Sequence, residues 1–111
     1  VTHAGGLSEV KKAAEYAALN GITVAPHVFR SGASFAAHLH LLSAIPNALI
    51  CEFQQVANPL REELLNEPIK MVNGEIIIPD EPGLGIHIND EIIQKYPYKP
   101  GTEQRFKVEN V

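Results

Sequence analysis

One short stretch limits the fold more than any other: Gly21 to Phe29, G-I-T-V-A-P-H-V-F. Ile22, Thr23, Val24 and Ala25 are β-branched or small, which suits a buried strand. Pro26 ends the run, and His27 follows at its C-terminal end. A second apolar run, Ala48 to Phe53 (A-L-I-C-E-F), reads as another buried strand with Glu52 near its C-terminal end. Between the two lies a helical pattern from about Phe35 to Ala44, with Phe35, Leu39 and Leu42 on one stripe and Ala36 beside it. Strand, helix, strand makes a parallel βαβ unit with a right-handed crossover. Strands of that kind are buried on both faces. Two cannot cover themselves, so this half of the chain requires more sheet beside it.

The elements around this unit follow from local signals. Thr2 to Gly6 contains paired glycines and reads as a tight loop. A helix is expected from about Leu7 to Asn20, with Leu7, Val10, Ala14, Ala17 and Ala18 at helical spacing and Asn20-Gly21 as its stop. Arg30 to Ser34 reads as a loop, with Ser34 as a candidate N-cap for the second helix. Beyond Gln54 the pattern changes. Pro59 to Asn66 predicts a short charged helix. Asn73-Gly74 predicts a hairpin between Lys70–Val72 and Glu75–Ile78. Pro79 to Gly85 is a Pro/Gly loop, Asp90 to Tyr96 a last short helix capped by Asn89 or Asp90, and the chain from Pro97 a polar, loosely held tail.

Bulk properties exclude some function classes. The 111 residues suffice for one domain and are too few for two. A net charge of −4 with no Lys/Arg cluster argues against a nucleic-acid partner. No apolar run approaches a membrane span, and no secretory signal is visible. The single Cys51 rules out an internal disulfide framework and fits a reducing, cytoplasmic compartment. The chain begins with Val1 directly before a turn and a helix, and is read here as a fragment of a longer enzyme.

His27 and Glu52 are the residues that carry chemistry. Loops at the C-terminal ends of parallel strands hold catalytic groups, because the strand fixes their position. A carboxylate ending an apolar strand must be hydrogen-bonded, protonated or facing a cleft. Two titratable groups at the same ends of neighbouring strands are therefore expected to face each other. Arg30 is placed to pair with an anionic substrate, although a solvated surface arginine is the slightly favoured reading. His3, in the loop entering the first helix, is a second candidate substrate contact, and an ordinary loop residue is an equal reading. His38 and His40 are two apart on a helix, point to opposite sides and cannot share an ion. His87 has no evident partner, Cys51 reads as a packed thiol, and zinc spacing is absent. With Glu52 the one carboxylate on the active edge, the chain is expected to bind neither Mg²⁺ nor Zn²⁺ by itself.

The segments H-A-G-G-L-S-E, V-A-P-H, H-L-H-L-L-S-A-I-P-N-A, the Glu of C-E-F, and N-G-E-I-I-I-P-D-E-P-G-L-G-I resemble, in order and spacing, the C-terminal end of the mandelate racemase/muconate lactonizing enzyme family of the enolase superfamily. The resemblance covers the chain to about Tyr96. It implies an α/β fold, the C-terminal part of a modified TIM (β/α)7β barrel. Residues 1–54 would be the last strands and helices of the barrel. Residues 55–111 would be an extension with a β-hairpin, packing toward a capping domain. It also implies that His3 to Gly6 follow the sixth strand, His27 ends the seventh and Glu52 ends the eighth.

In the mandelate racemase branch, which this chain resembles most, the histidine ending the seventh strand is a general acid/base paired with an aspartate ending the sixth. Glu52 matches the acid that hydrogen-bonds the substrate carboxylate or enolate. The Mg²⁺ ligands and a second-strand lysine fall upstream of this chain. Proton removal next to a carboxylate needs a base of near-neutral pKa and a cation on the enolate. Members with His at this place are mostly acid-sugar dehydratases, and muconate-type members use a lysine, so His27 argues against cycloisomerisation. The implied function is that of a Mg²⁺-dependent lyase acting on a small sugar acid, homo-oligomeric at full length, with this chain inactive alone. A racemase or epimerase of the same branch, and a truncated non-catalytic binding or assembly module, are the alternatives. The isolated chain is expected to fold poorly or to self-associate, because its strand edges lack neighbours.

Overall fold

The computed structural model describes residues 1–100. Its first helix, α1 (Leu7–Leu19), buries Ala14 and turns Lys11, Lys12 and Glu15 outward. Glu9–Lys12 and Lys11–Glu15 pair along the wet face, as residues three and four apart do on a helix. Asn20 closes the helix, its backbone N–H donating to Ala17 O while the Gly21 N–H donates to Ala18 O, both at 3.0 Å. The chain then reverses and runs extended through Val24 to Phe29.

The second helix, α2 (Gly32–Ala44), starts three residues earlier than Ser34 capping would allow. Ser31 is the N-cap instead, its Oγ accepting from the Ser34 N–H at 3.4 Å. Gly32 is required there by close approach. A Cβ on it would lie 2.9 Å from Leu65 Cγ and 3.1 Å from Arg61 O.

The expected strands shrink to a single contact. Val24 and Ala48 form one parallel bridge, with Val24 N–H bonding Asn47 O and Leu49 N–H bonding Val24 O, both at 2.9 Å. The parallel direction is as expected, but neither run extends into a ladder. Neither is it buried on both faces: Ile22, Leu49 and Ile50 are each more than half exposed. The physical reason is the one that makes edge strands labile. A strand without a partner on its outer side has no ladder to hold it extended. Asn47 braces the bridge through Nδ2, which donates to Ala14 O and Ile22 O at 2.9 and 2.8 Å.

The third helix, α3 (Pro59–Glu62), is shorter than the expected Pro59–Asn66. Leu64 and Leu65 are buried, and Leu65 bridges antiparallel to Ile88. Burying those two leucines draws the backbone out of the helix, so that Asn66 N–H bonds His87 O and Asn89 N–H bonds Leu64 O. Strands β1 (Met71–Val72) and β2 (Glu75–Ile76) pair antiparallel around Asn73-Gly74. Both turn residues have positive φ, 53° and 81°, which is the I′ geometry that Asn-Gly favours. The last helix, α4 (Asp90–Lys95), is capped by Asn89, whose side chain accepts from Glu91 N–H. Of the tail expected from Pro97, residues 101–111 lie outside the described residues.

Two apolar clusters hold these parts together. Ala14, Leu41 and Ile45 join α1 to α2, with Val1, Val10, Val24 and Leu42 around them. Val28, Phe35 and Leu39 form the second, flanked by Cys51, Phe53, Ile69, Ile76 and Ile78. This second cluster crosses residue 54: the hairpin packs on the same apolar floor as the βαβ unit.

Candidate active site

The apolar floor of the second cluster sets the position of both polar groups above it. Val28 is buried in it, and Cys51 and Phe53 pack against it. These three are the chain neighbours of His27 and Glu52. Phe53 meets Phe35 edge-to-face, with ring centroids 5.5 Å apart at 74°, a favoured aromatic arrangement. Along an extended chain, adjacent side chains point to opposite faces. Burying Val28, Cys51 and Phe53 therefore turns His27 and Glu52 outward, on the same edge of the parallel unit. They meet there. His27 Nδ1–H donates to Glu52 Oε2 at 2.6 Å.

This bond selects a tautomer. A carboxylate oxygen can only accept, so the neutral imidazole carries its proton on Nδ1 and leaves the Nε2 lone pair free. Among the described residues, Glu52 is the side chain that bonds this ring at Nδ1; the aspartate that the resemblance implies falls before Val1. Phe29 adds a second restraint. Its ring lies nearly parallel to the imidazole, 12° between planes and 6.0 Å between centroids. Sequence reading passed over Phe29, although its place two residues after His27 puts it on the same side of an extended chain.

His3 and Arg30 also come together. Arg30 Nη2 donates to His3 Nε2, so Arg30 is anchored rather than simply solvated. That contact requires an unprotonated Nε2 on His3, with the proton on Nδ1. The two side chains line an open cleft of about 780 Å³ together with Val10, Val24, Pro26 and His27. The cleft thus carries a guanidinium at one side and the imidazole at another, on a partly apolar wall.

The remaining histidines are all engaged. His38 is buried, 1% exposed, and is the residue that sequence reading most undervalued. Its Nε2 bonds to the backbone carbonyl of His27 at 3.0 Å, and Nδ1 lies 3.3 Å from Ser34 O. Burial holds its pKa below the usual histidine value. The signal was present in the sequence, since position 38 is three after Phe35 and four before Leu42, on the apolar stripe itself. His40 faces elsewhere, with Nε2 bonding Leu84 O at 3.1 Å. His87, expected to lack a partner, contacts Glu81 Oε2 at 3.0 Å. Cys51 is half-buried, and burial pushes its thiol pKa up, as for a packed, unreactive thiol.

Among the described residues, no group of three or more His, Cys, Asp or Glu could hold a metal ion. Mg²⁺ requires near-octahedral oxygen ligands, and Glu52 already spends one oxygen on His27. The described residues do not by themselves make such a centre. No helix among the described residues is long and apolar enough to cross a membrane.

Comparison with known proteins gives consistent findings. Residues 1–92 match the family described as enolase C-terminal domain-like. The chain is 40% identical over 100 residues to a D-galactarolactone cycloisomerase of Agrobacterium fabrum, covering 83% of this chain and 26% of that protein. It is 35% identical over 95 residues to an arabinonate dehydratase of Saccharolobus solfataricus, covering 86% and 25%. Among solved structures, a mandelate racemase/muconate lactonizing enzyme from Jannaschia sp. CCS1 superposes with a TM-score of 0.75 at 37% identity, covering 95% of this chain and 26% of that one. The chain therefore spans about a quarter of the length of the relatives it matches.

Proposed function

Because the chain belongs to the enolase C-terminal domain-like family, we propose that it is the C-terminal part of a Mg²⁺-dependent acid-sugar dehydratase. Residues 1–54 supply the end of the barrel, and residues 55–111 the extension toward a capping domain. The observation that carries the reading is the His27–Glu52 pair, held at 2.6 Å on the active edge.

With Nδ1–H bound to Glu52, Nε2 of His27 accepts the proton α to the substrate carboxylate. The C–H electron pair first forms an enolate with the carboxylate, which can take a proton back at the α-carbon; collapse of the enolate then forms the C=C bond as the β C–O bond breaks. The departing hydroxide takes the proton from Nε2 and leaves as water, and the enol becomes a 2-keto-3-deoxy acid. Glu52 stabilises the imidazolium while it lasts, and its half-exposed carboxylate also reaches the substrate. Arg30 pairs with an anionic end of the sugar acid, and His3 holds Arg30 and borders the substrate. The Mg²⁺ ligands of this reading lie outside the 111 residues. The complete enzyme is cytoplasmic and homo-oligomeric, and this chain alone is inactive. Support for the substrate class comes from relatives named arabinonate dehydratase and D-xylonate dehydratase.

A second reading, a cycloisomerase, is favoured by the name of the Agrobacterium relative. His27 as the residue type argued against it, and the two share removal of an α-proton. The test is a panel of aldonic and aldaric acids and their lactones, supplied with Mg²⁺ to the complete protein. Formation of a 2-keto-3-deoxy acid from an open-chain acid supports the dehydratase. Turnover of lactones alone supports the cycloisomerase, and turnover of neither refutes both.

A further inference from the structure

The parallel contact between the two extended segments stops at Val24, three residues short of His27. A ladder therefore does not fix the backbone of His27. A side chain does. His38, on α2, reaches across with Nε2 to the carbonyl oxygen of His27 at 3.0 Å. We propose that His38 is a positioning residue: its Nε2–H pins the His27 backbone, so that the His27 ring meets Glu52 with Nε2 free. This inference rests on the reading of His27 as the general base.

The chemistry of the buried ring supports it. Both atoms near its nitrogens are carbonyl oxygens, which only accept. A neutral imidazole has one N–H, and burial disfavours the doubly protonated ring. The shorter contact, to His27, takes that proton. Ser34 O gives up little, because it already accepts the helix bond from the His38 backbone N–H four residues on. The ring is also well placed to transmit position. It shares its helical face with Phe35 and Leu39, which pack on Val28, so α2 holds His27 by its carbonyl and the next residue by its side chain. A histidine kept only to fill volume would not need its donor. His38→Phe fills the space without the donor, and His38→Asn places its amide near the Nδ1 position, short of His27. His38→Gln places an amide N–H near the Nε2 position.

The experiment uses the complete protein that carries this chain, with ¹⁵N-labelled histidine. Ring nitrogen shifts report the tautomer of His27 and His38, and kinetics on a turned-over acid give kcat and KM. Expected are His38 as the Nε2–H tautomer, and His27 as Nδ1–H in the wild type and in H38Q. H38F and H38N should show mixed His27 tautomers and kcat about tenfold to a hundredfold lower with KM little changed, since small misplacements of a base act on the chemical step. An Nδ1–H tautomer at His38 overturns the proposal. So does an unchanged His27 tautomer in folded H38F or H38N. Should those two fail to fold, a folded H38Q whose His27 ring differs from the wild type overturns it as well. His27→Asn separates the two failures. If H27N keeps full turnover, the base assignment fails; if H27N is inactive while H38F leaves His27 unchanged, the positioning role alone fails.

Discussion

Replacing Phe35 by alanine should disturb the site from below. Phe35 is 4% exposed and lies in the cluster that buries Val28 and supports Phe53. Loss of so large a buried ring costs about 3–5 kcal/mol, combining lost transfer free energy with the cavity left behind. Part of this is the edge-to-face contact with Phe53 at 5.5 Å, a kind of pair worth about 0.5–1.5 kcal/mol beyond area burial. Phe35→Leu keeps most of the apolar volume and should lose little more than the ring pair. The neighbours that move are Val28 and Phe53, one residue from His27 and Glu52, so F35A should lower kcat as well as stability. Denaturant melts of wild type, F35A, F53A and the double variant form a cycle that isolates the pair. A coupling of about 0.5–1.5 kcal/mol is expected. Additive losses, or an F35A penalty below about 1 kcal/mol, would refute the idea that this cluster fixes the site, because the structure would then collapse freely into the space.

Two further outcomes are expected. Burial depresses the His38 pKa in the folded protein, so between that value and the unfolded one, about 6.5, the unfolded chain binds more protons. Its contribution is complete above about pH 6.5, and the melting temperature should fall as pH drops through that region toward the folded value; H38Q should remove this part of the slope, and an identical slope in H38Q would contradict it. The 111-residue chain expressed alone should associate or melt without cooperativity, because Ile22, Leu49 and Ile50 stand exposed on strand segments with unpaired edges; a monomer by sedimentation with a sharp melt would contradict this.

The parts of the fold that follow from local chemistry were legible. The apolar spacing of α1 and its Asn20-Gly21 stop place that helix to within a residue. Asn73-Gly74 identifies its hairpin, because few residue pairs tolerate two positive φ angles. Placing His27 and Glu52 beyond the ends of parallel segments was enough to bring them together. Features set by tertiary packing were less visible. The choice of Ser31 over Ser34 as cap depends on Gly32 touching Leu65 and Arg61, which are about thirty residues away in the chain. The early end of α3 depends on Ile88 bridging Leu65. The His38–His40 spacing speaks only to metal binding, where two histidines on opposite helix faces fail. The position of His38 on the apolar stripe was the better clue.

The most direct test of the central claim is exchange of the substrate α-proton for deuterium in D₂O, followed by NMR with the complete protein and with His27→Asn. If Nε2 of His27 is the base, H27N should slow exchange by about 10²–10⁴-fold, with the acid still bound. Exchange in H27N at the wild-type rate would show that another group removes the proton and that the His27–Glu52 pair is not the catalytic base.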